Sequence, residues 1–128
     1  MLAEGTSEQS ALSGLKILIA EDNWNLAQSL KDYVEAAGGK VVGLVATVRD
    51  GLQVFERAKV NVLVADMNLR DGMADALIEA AVDMDAGVVV VTGFKSLPSD
   101  SDHLVDEWIE KPVEETDLIV RIKRASRL

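Results

Sequence analysis

Val60-Asn61-Val62-Leu63-Val64-Ala65-Asp66-Met67-Asn68-Leu69-Arg70-Asp71-Gly72 is the stretch on which the fold turns. Val62 to Ala65 is a short apolar run with β-branched residues, of the length and type of a strand buried on both faces of a parallel sheet. Asp66 follows at once. That puts a carboxylate at the carboxyl end of a strand, where ligands of open α/β sheets gather. Standing alone, Asp66 reads better as a cap for the next turn, a role that aspartate often fills. The other strand ends change its weight.

Upstream, Leu15 to Ala20 is a first strand that runs into Glu21, Asp22 and Asn23, a second acidic strand end. Leu26, Leu30, Tyr33, Val34 and Ala37 then recur at helical spacing, and Gly38-Gly39 stops the helix. Lys40 to Ala46 is a second strand. Thr47 with Asp50 three residues on resembles a capping box, and Val48, Leu52 and Phe55 give the short helix that follows one apolar face. Downstream of the opening stretch, Ala76, Leu77, Ala80 and Ala81 predict a third helix. Val88 to Val91, wholly β-branched, predicts a central strand ending at Thr92-Gly93. From Lys95 to Leu104 helical periodicity disappears, and Pro98 among polar neighbours predicts a loop or one frail turn, the least ordered internal segment. Asp106 to Glu110 is a fifth strand closed by Lys111-Pro112. Leu118, Ile122 and Ala125 line the inner side of a last helix, with Arg121, Lys123, Arg124 and Arg127 on a solvated outer side. Five strands alternating with about five helical stretches give a doubly wound α/β domain.

The 128 residues, 48% hydrophobic and 27% charged, suit one domain. Residues 1–14 carry no basic n-region and no apolar core, so they are expected as a disordered leader and not a signal peptide, with the domain over 15–128. The 22 acidic and 13 basic residues give a net charge of -9, which opposes binding to nucleic acid or anionic membrane and favours cations. No run approaches the length of a membrane span. Cysteine is absent, which suits a reducing cytoplasm and excludes a thiolate metal site. His103, in a polar loop, reads as surface.

Glu21-Asp22, Asp66, Thr92 and Lys111 thus end four strands in that order. Taken together they resemble the receiver domain of two-component response regulators, from about Leu15 to the C-terminus. The resemblance implies a flavodoxin-like (βα)5 sheet of order 2-1-3-4-5, the order the family shares with flavodoxin. It implies that Asp66 accepts a phosphoryl group from a phosphohistidine of a sensor histidine kinase or histidine phosphotransfer protein. It further implies that Glu21, Asp22 and Asp66 hold Mg²⁺ together with the backbone carbonyl of Asn68, that Thr92 and Lys111 bind the phosphoryl oxygens, that Thr92 and Trp108 form the switch, and that Pro112 is a cis-peptide candidate. Such a protein signals to a downstream partner that the sequence does not name, and its only chemistry is its own phosphorylation and dephosphorylation.

Elementary electrostatics favours the same assignments. A carboxylate needs no deprotonation to attack phosphorus at neutral pH, but it meets an anionic donor beside two more carboxylates. One like-charge pair ~4 Å apart at an effective dielectric of ~20 costs about 4 kcal/mol. A cation is therefore required, and Mg²⁺ prefers such carboxylates plus substrate oxygen and water.

Arg70 stands where most receivers have proline, and the segments Asp66 to Thr92 and Thr92 to Lys111 are short, which trims helices three and four. Asp66-Met-Asn-Leu with Thr92-Gly-Phe looks like the stand-alone receivers, common in alphaproteobacteria, with a Phe-Ala-Thr-Gly-Tyr-like motif and no attached output domain. Two other readings compete. Aspartyl-phosphate phosphatases of the haloacid dehalogenase type use the same residue types, but their nucleophile ends the first strand with a second Asp two residues on, where this chain has Asn68. A pseudo-receiver, a protein-interaction module without phosphoryl chemistry, would not need every site position filled with a competent residue. Glu21-Asp22-Asn23 by itself equally marks a helix N-terminus.

Overall fold

The computed structural model describes residues 10–93 and 99–127. In chain order the elements are β1 (Lys16–Ala20), α1 (Trp24–Ala36), β2 (Lys40–Val45), α2 (Val48–Arg57), β3 (Val62–Asp66), β4 (Asn68–Leu69), β5 (Gly72–Met73), α3 (Asp75–Asp83), β6 (Gly87–Thr92), a 3-10 turn (Asp102–Leu104), β7 (Glu107–Glu110) and α4 (Glu115–Ala125). The main sheet has the order β2-β1-β3-β6-β7 with every pair parallel. Counted on these five strands it is the flavodoxin-like order 2-1-3-4-5.

Successive side chains of a strand point to opposite faces, so each apolar run feeds two cores. Leu18, Ala20, Leu63, Ala65, Val88 and Val90 pack with Val54 and Phe55 of α2 and Leu77 and Ile78 of α3. Ile17, Ile19, Val62, Val64, Val89 and Val91 pack with Leu30 and Val34 of α1 and Leu118 and Ile122 of α4. Burial on both faces is why these runs lack polar alternation. Gly87 opens β6 because a Cβ there would strike the carbonyl of Ala125, where α4 closes over the strand.

Helix α1 stops as expected. Gly38 takes φ +90°, and the amides of Gly38 and Gly39 donate to the carbonyls of Glu35 and Val34 at 3.0 Å each. In α2 the buried face is Gly51, Val54 and Phe55, with the expected Val48 and Leu52 only half-buried at its edge. Phe55 belongs to both faces, and Gly51, which has no side chain to mark it as apolar, lies where the sequence shows no core residue.

Residues 1–9 of the expected leader lie outside the described residues, but Ser10 to Gly14 belong to the domain. Leu12 is fully buried, donates its amide to Ala37 O at 2.9 Å and joins the α1/α4 core. Burying such a side chain contributes roughly 1.5–3 kcal/mol, which offsets part of the cost of ordering the turn, about 1–2 kcal/mol per residue. The hairpin of β4 and β5 directly after Asp66 is a second departure from expectation. Of the expected irregular segment, residues 94–98 lie outside the described residues. Between Ser99 and β7 the chain forms only the 3-10 turn, so four α-helices stand among the described residues where about five helical stretches were expected. Among the described residues, no α-helix stands between β6 and β7. Among the described residues, no helix is long and apolar enough to cross a membrane.

Candidate functional site

A parallel sheet brings all its carboxyl ends to one edge. Pairing of Ala20 with Ala65 in the β1/β3 ladder sets the next residues, Glu21 and Asp66, side by side. Pairing of Thr92 with Glu110 does the same for β6 and β7, and the Lys111 amide continues the ladder by donating to Thr92 O at 2.8 Å. Four sequence-distant segments thereby converge.

Lys111 is the centre of the cluster. Its Nζ donates to Asp66 Oδ2 at 2.7 Å and lies 3.2 Å from Glu21 Oε1. Asp66 Oδ1 accepts from the Asn68 amide at 3.0 Å, and Glu21 Oε2 accepts from the Asn23 amide at 3.1 Å. Asp22 is exposed at the rim. Glu21, Asp22 and Asp66 each offer one carboxylate oxygen, and the three lie within 4.8 Å of one another. Glu21 is nearly fully buried, and its Oε1 receives no properly aligned hydrogen bond. A buried acceptor with spare lone pairs, beside two further hard oxygens, is a donor set that fits a divalent cation.

The charges perturb one another in a consistent way. Burial pushes the Glu21 carboxyl above its ordinary value; the Asn23 amide opposes this, the Asp66 charge adds to it, and Lys111 again opposes. Burial draws the Lys111 ammonium down, but the hydrogen bond and charge of Asp66, followed by those of Glu21, hold it above its ordinary value. Lys111 therefore stays charged, and one cation faces three acids.

No protein-family model matches the sequence, and no curated protein does. Among solved structures, the fold matches a CheY-like response regulator receiver domain protein from Methanospirillum hungatei JF-1. The two share 32% identity over 85% of this chain and 90% of that one, with a TM-score of 0.77. The chain belongs to the response regulator receiver domains. A sensor protein from Polaromonas sp. JS666 is similar at 29% identity, over 88% of this chain and 95% of that one, with a TM-score of 0.77. A CheY-like receiver domain from Methylobacillus flagellatus is similar at 26% identity, over 81% and 92%, with a TM-score of 0.70.

In this receiver domain Trp108 stands apart from the acids, on β7 opposite Val90, and is 38% exposed. Ile109 is buried in the α1/α4 core, so Trp108 and, on β6, Thr92 share the other sheet face, toward α2 and α3. The Lys111-Pro112 peptide is cis. His103 is exposed. The basic side of α4 is less solvated than the sequence predicts: Arg121 binds Asp117, Glu107 and the Trp108 carbonyl, and Arg127, beyond the helix end, pairs with Asp85 and Asp106.

Glu21-Asp22-Asn23 divides its labour. Asn23 caps α1 by accepting from the Leu26 amide at 3.0 Å, which leaves the two acids for the site. Sequence reasoning missed two further carboxylates of this edge. Asp71 accepts from the amides of Val48 and Arg49 at the start of α2, and Asp75 accepts from the hydroxyls of Ser99 and Ser101. Both act across more than 20 residues of chain, so no local pattern marks them.

Proposed function

We propose that this receiver domain is a cytoplasmic, Mg²⁺-dependent phosphorylation switch with Asp66 as its phosphoacceptor. The observation that carries the reading is the bond from Lys111 to the carboxylate that ends β3, beside the acidic pair that ends β1. The donor is a phosphohistidine of a sensor histidine kinase or histidine phosphotransfer protein. A carboxylate oxygen of Asp66 attacks phosphorus as the nitrogen–phosphorus bond breaks. The bonding pair returns to the imidazole, which takes up a proton.

Glu21, Asp22, Asp66 and the Asn68 carbonyl would hold Mg²⁺, which when bound would neutralise the carboxylates and polarise the phosphoryl oxygens. Asp66 remains a competent nucleophile because its oxygens offer about four lone-pair sites and the protein uses two. Lys111 follows the phosphoryl oxygens with its ammonium, and the Thr92 hydroxyl donates to another. A charge-assisted bond is worth roughly 1.5–3 kcal/mol, and a switch from 1:99 to 99:1 requires ~5.5 kcal/mol. Two such bonds approach it only as far as they form in the phosphorylated state alone. Lys111 already bonds Asp66 without phosphate, so its share is the difference between the two bonds. Thr92 and Trp108 share a sheet face on adjacent strands, and this pair is the proposed switch.

The test uses a small phosphodonor such as acetyl phosphate. Wild type gains one phosphoryl group in intact mass with Mg²⁺ present and none with a chelator. In a Trp24→Phe background Trp108 is the single indole, and its emission shifts on phosphorylation. Turnover of a phosphomonoester without a stable adduct would favour the phosphatase reading instead.

A further inference from the structure

The connection between β2 and α2 carries none of the residues assigned to the chemistry, yet both acidic loops are tied to it. Val45 O accepts the Glu21 amide at 2.9 Å. Ala46 O accepts the Arg70 amide at 3.2 Å. The amides of Val48 and Arg49 donate to the two carboxylate oxygens of Asp71, at 2.7 and 3.1 Å. Residues 45 to 49 are therefore a common platform for the loop that bears Glu21 and the loop that follows Asp66.

Asp71 is the side-chain tie in this set. It lies at the tip of the β4/β5 hairpin, in which Asn68 pairs with Met73 and Leu69 with Gly72, and Gly72 takes a φ of +141°. The Ala74 amide closes the hairpin on Met67 O at 2.8 Å. At the other end the Asn68 amide is bonded to Asp66. The peptide between Met67 and Leu69 is thus held from both sides. Helix α2 does not depend on Asp71 alone for its N-terminus, because Thr47 Oγ1 already accepts from the Asp50 amide at 3.0 Å. The helix is packed on the core through Val54 and Phe55, so its first amides are fixed posts to which the hairpin is moored.

We infer that Asp71 is a positioning residue for the metal and phosphoryl site, mooring the loop after Asp66 to the β2–α2 platform so that the Asn68 carbonyl meets the cation bound by Glu21, Asp22 and Asp66. This rests on the function proposed above. Arg70, where proline is usual in the family, is part of the same device, because only a residue with an amide hydrogen can bond Ala46 O.

Three variants separate mooring from helix capping and from charge: Asp71→Ala, Asp71→Asn and Thr47→Ala. Calorimetric titration with Mg²⁺ and amide hydrogen exchange without metal are the readouts. Asp71→Ala should weaken Mg²⁺ binding about ten-fold, the low end for groups that orient ligands from outside the coordination sphere. Asp71→Asn, which keeps one acceptor oxygen, should lose less, and Thr47→Ala should match wild type. The amides of Asn68, Arg70 and Ala74 should exchange faster in Asp71→Ala before any metal is added. Unchanged affinity and exchange in Asp71→Ala would overturn the inference, and so would an equal loss in Asp71→Asn, which would assign the effect to charge, or in Thr47→Ala, which would assign it to the helix. Absence of Mg²⁺ binding by wild type would overturn the proposed metal site instead, and the exchange arm would still decide the role of Asp71.

Discussion

Lys111 faces three carboxylates, so the local charge is unbalanced and suited to a cation. Removing the ammonium leaves the nearly buried Glu21 and the largely buried Asp66 against each other with no positive partner. Lys111→Met should therefore lower the unfolding free energy by about 2 kcal/mol in metal-free buffer, below the range for fully buried pairs because Lys111 is partly exposed. Mg²⁺ should restore part of the loss, since the ion takes over the neutralising role and binds only the folded chain. Denaturant titration with and without Mg²⁺ measures both numbers; equal stability of variant and wild type in metal-free buffer would contradict the electrostatic account. The acids and Lys111 were legible in the sequence because each follows an apolar run that marks a strand end. Asp71 and Asp75 were not, because their partners lie on other elements.

Segments differ in how they are held. The four α-helices among the described residues are fixed by apolar faces, whereas the stretch from Ser99 to Leu104 has one short turn and leans on α3 through Asp75. The Ser101 and Ser99 hydroxyls, bonded to Asp75, hold its carboxyl below the ordinary range. Unfolded, it protonates near ~3.9. A carboxyl depressed in the folded state contributes stability that is complete above the unfolded value and is lost as pH falls through the folded value. The stability difference between wild type and Asp75→Asn should thus be constant above about pH 5 and shrink below about pH 4. Denaturation midpoints across that range check it, and a difference that grows toward acid would refute the clamp. The loss of helical period after Thr92 agrees with the described residues between β6 and β7, which hold one 3-10 turn and no α-helix. The clamp on Asp75 has no period to announce it.

At the scale of the molecule, strand order and the convergence of strand ends were readable because buried parallel strands are continuous apolar runs and right-handed crossovers leave few topologies. The hairpin after Asp66 was not, because two-residue strands carry too few residues to establish alternation. Leu12 was missed for a similar reason: one apolar side chain in a polar stretch has no pattern around it. The net charge of -9 agrees with a site that attracts a divalent cation. All of this leads to one carboxylate at the end of β3. The most direct measurement phosphorylates the protein with acetyl phosphate and Mg²⁺, reduces the acyl phosphate with borohydride, and locates the resulting homoserine by peptide mass spectrometry. The account predicts homoserine at position 66 and none in Asp66→Asn. Homoserine at position 22, or an adduct that survives in Asp66→Asn, would contradict it.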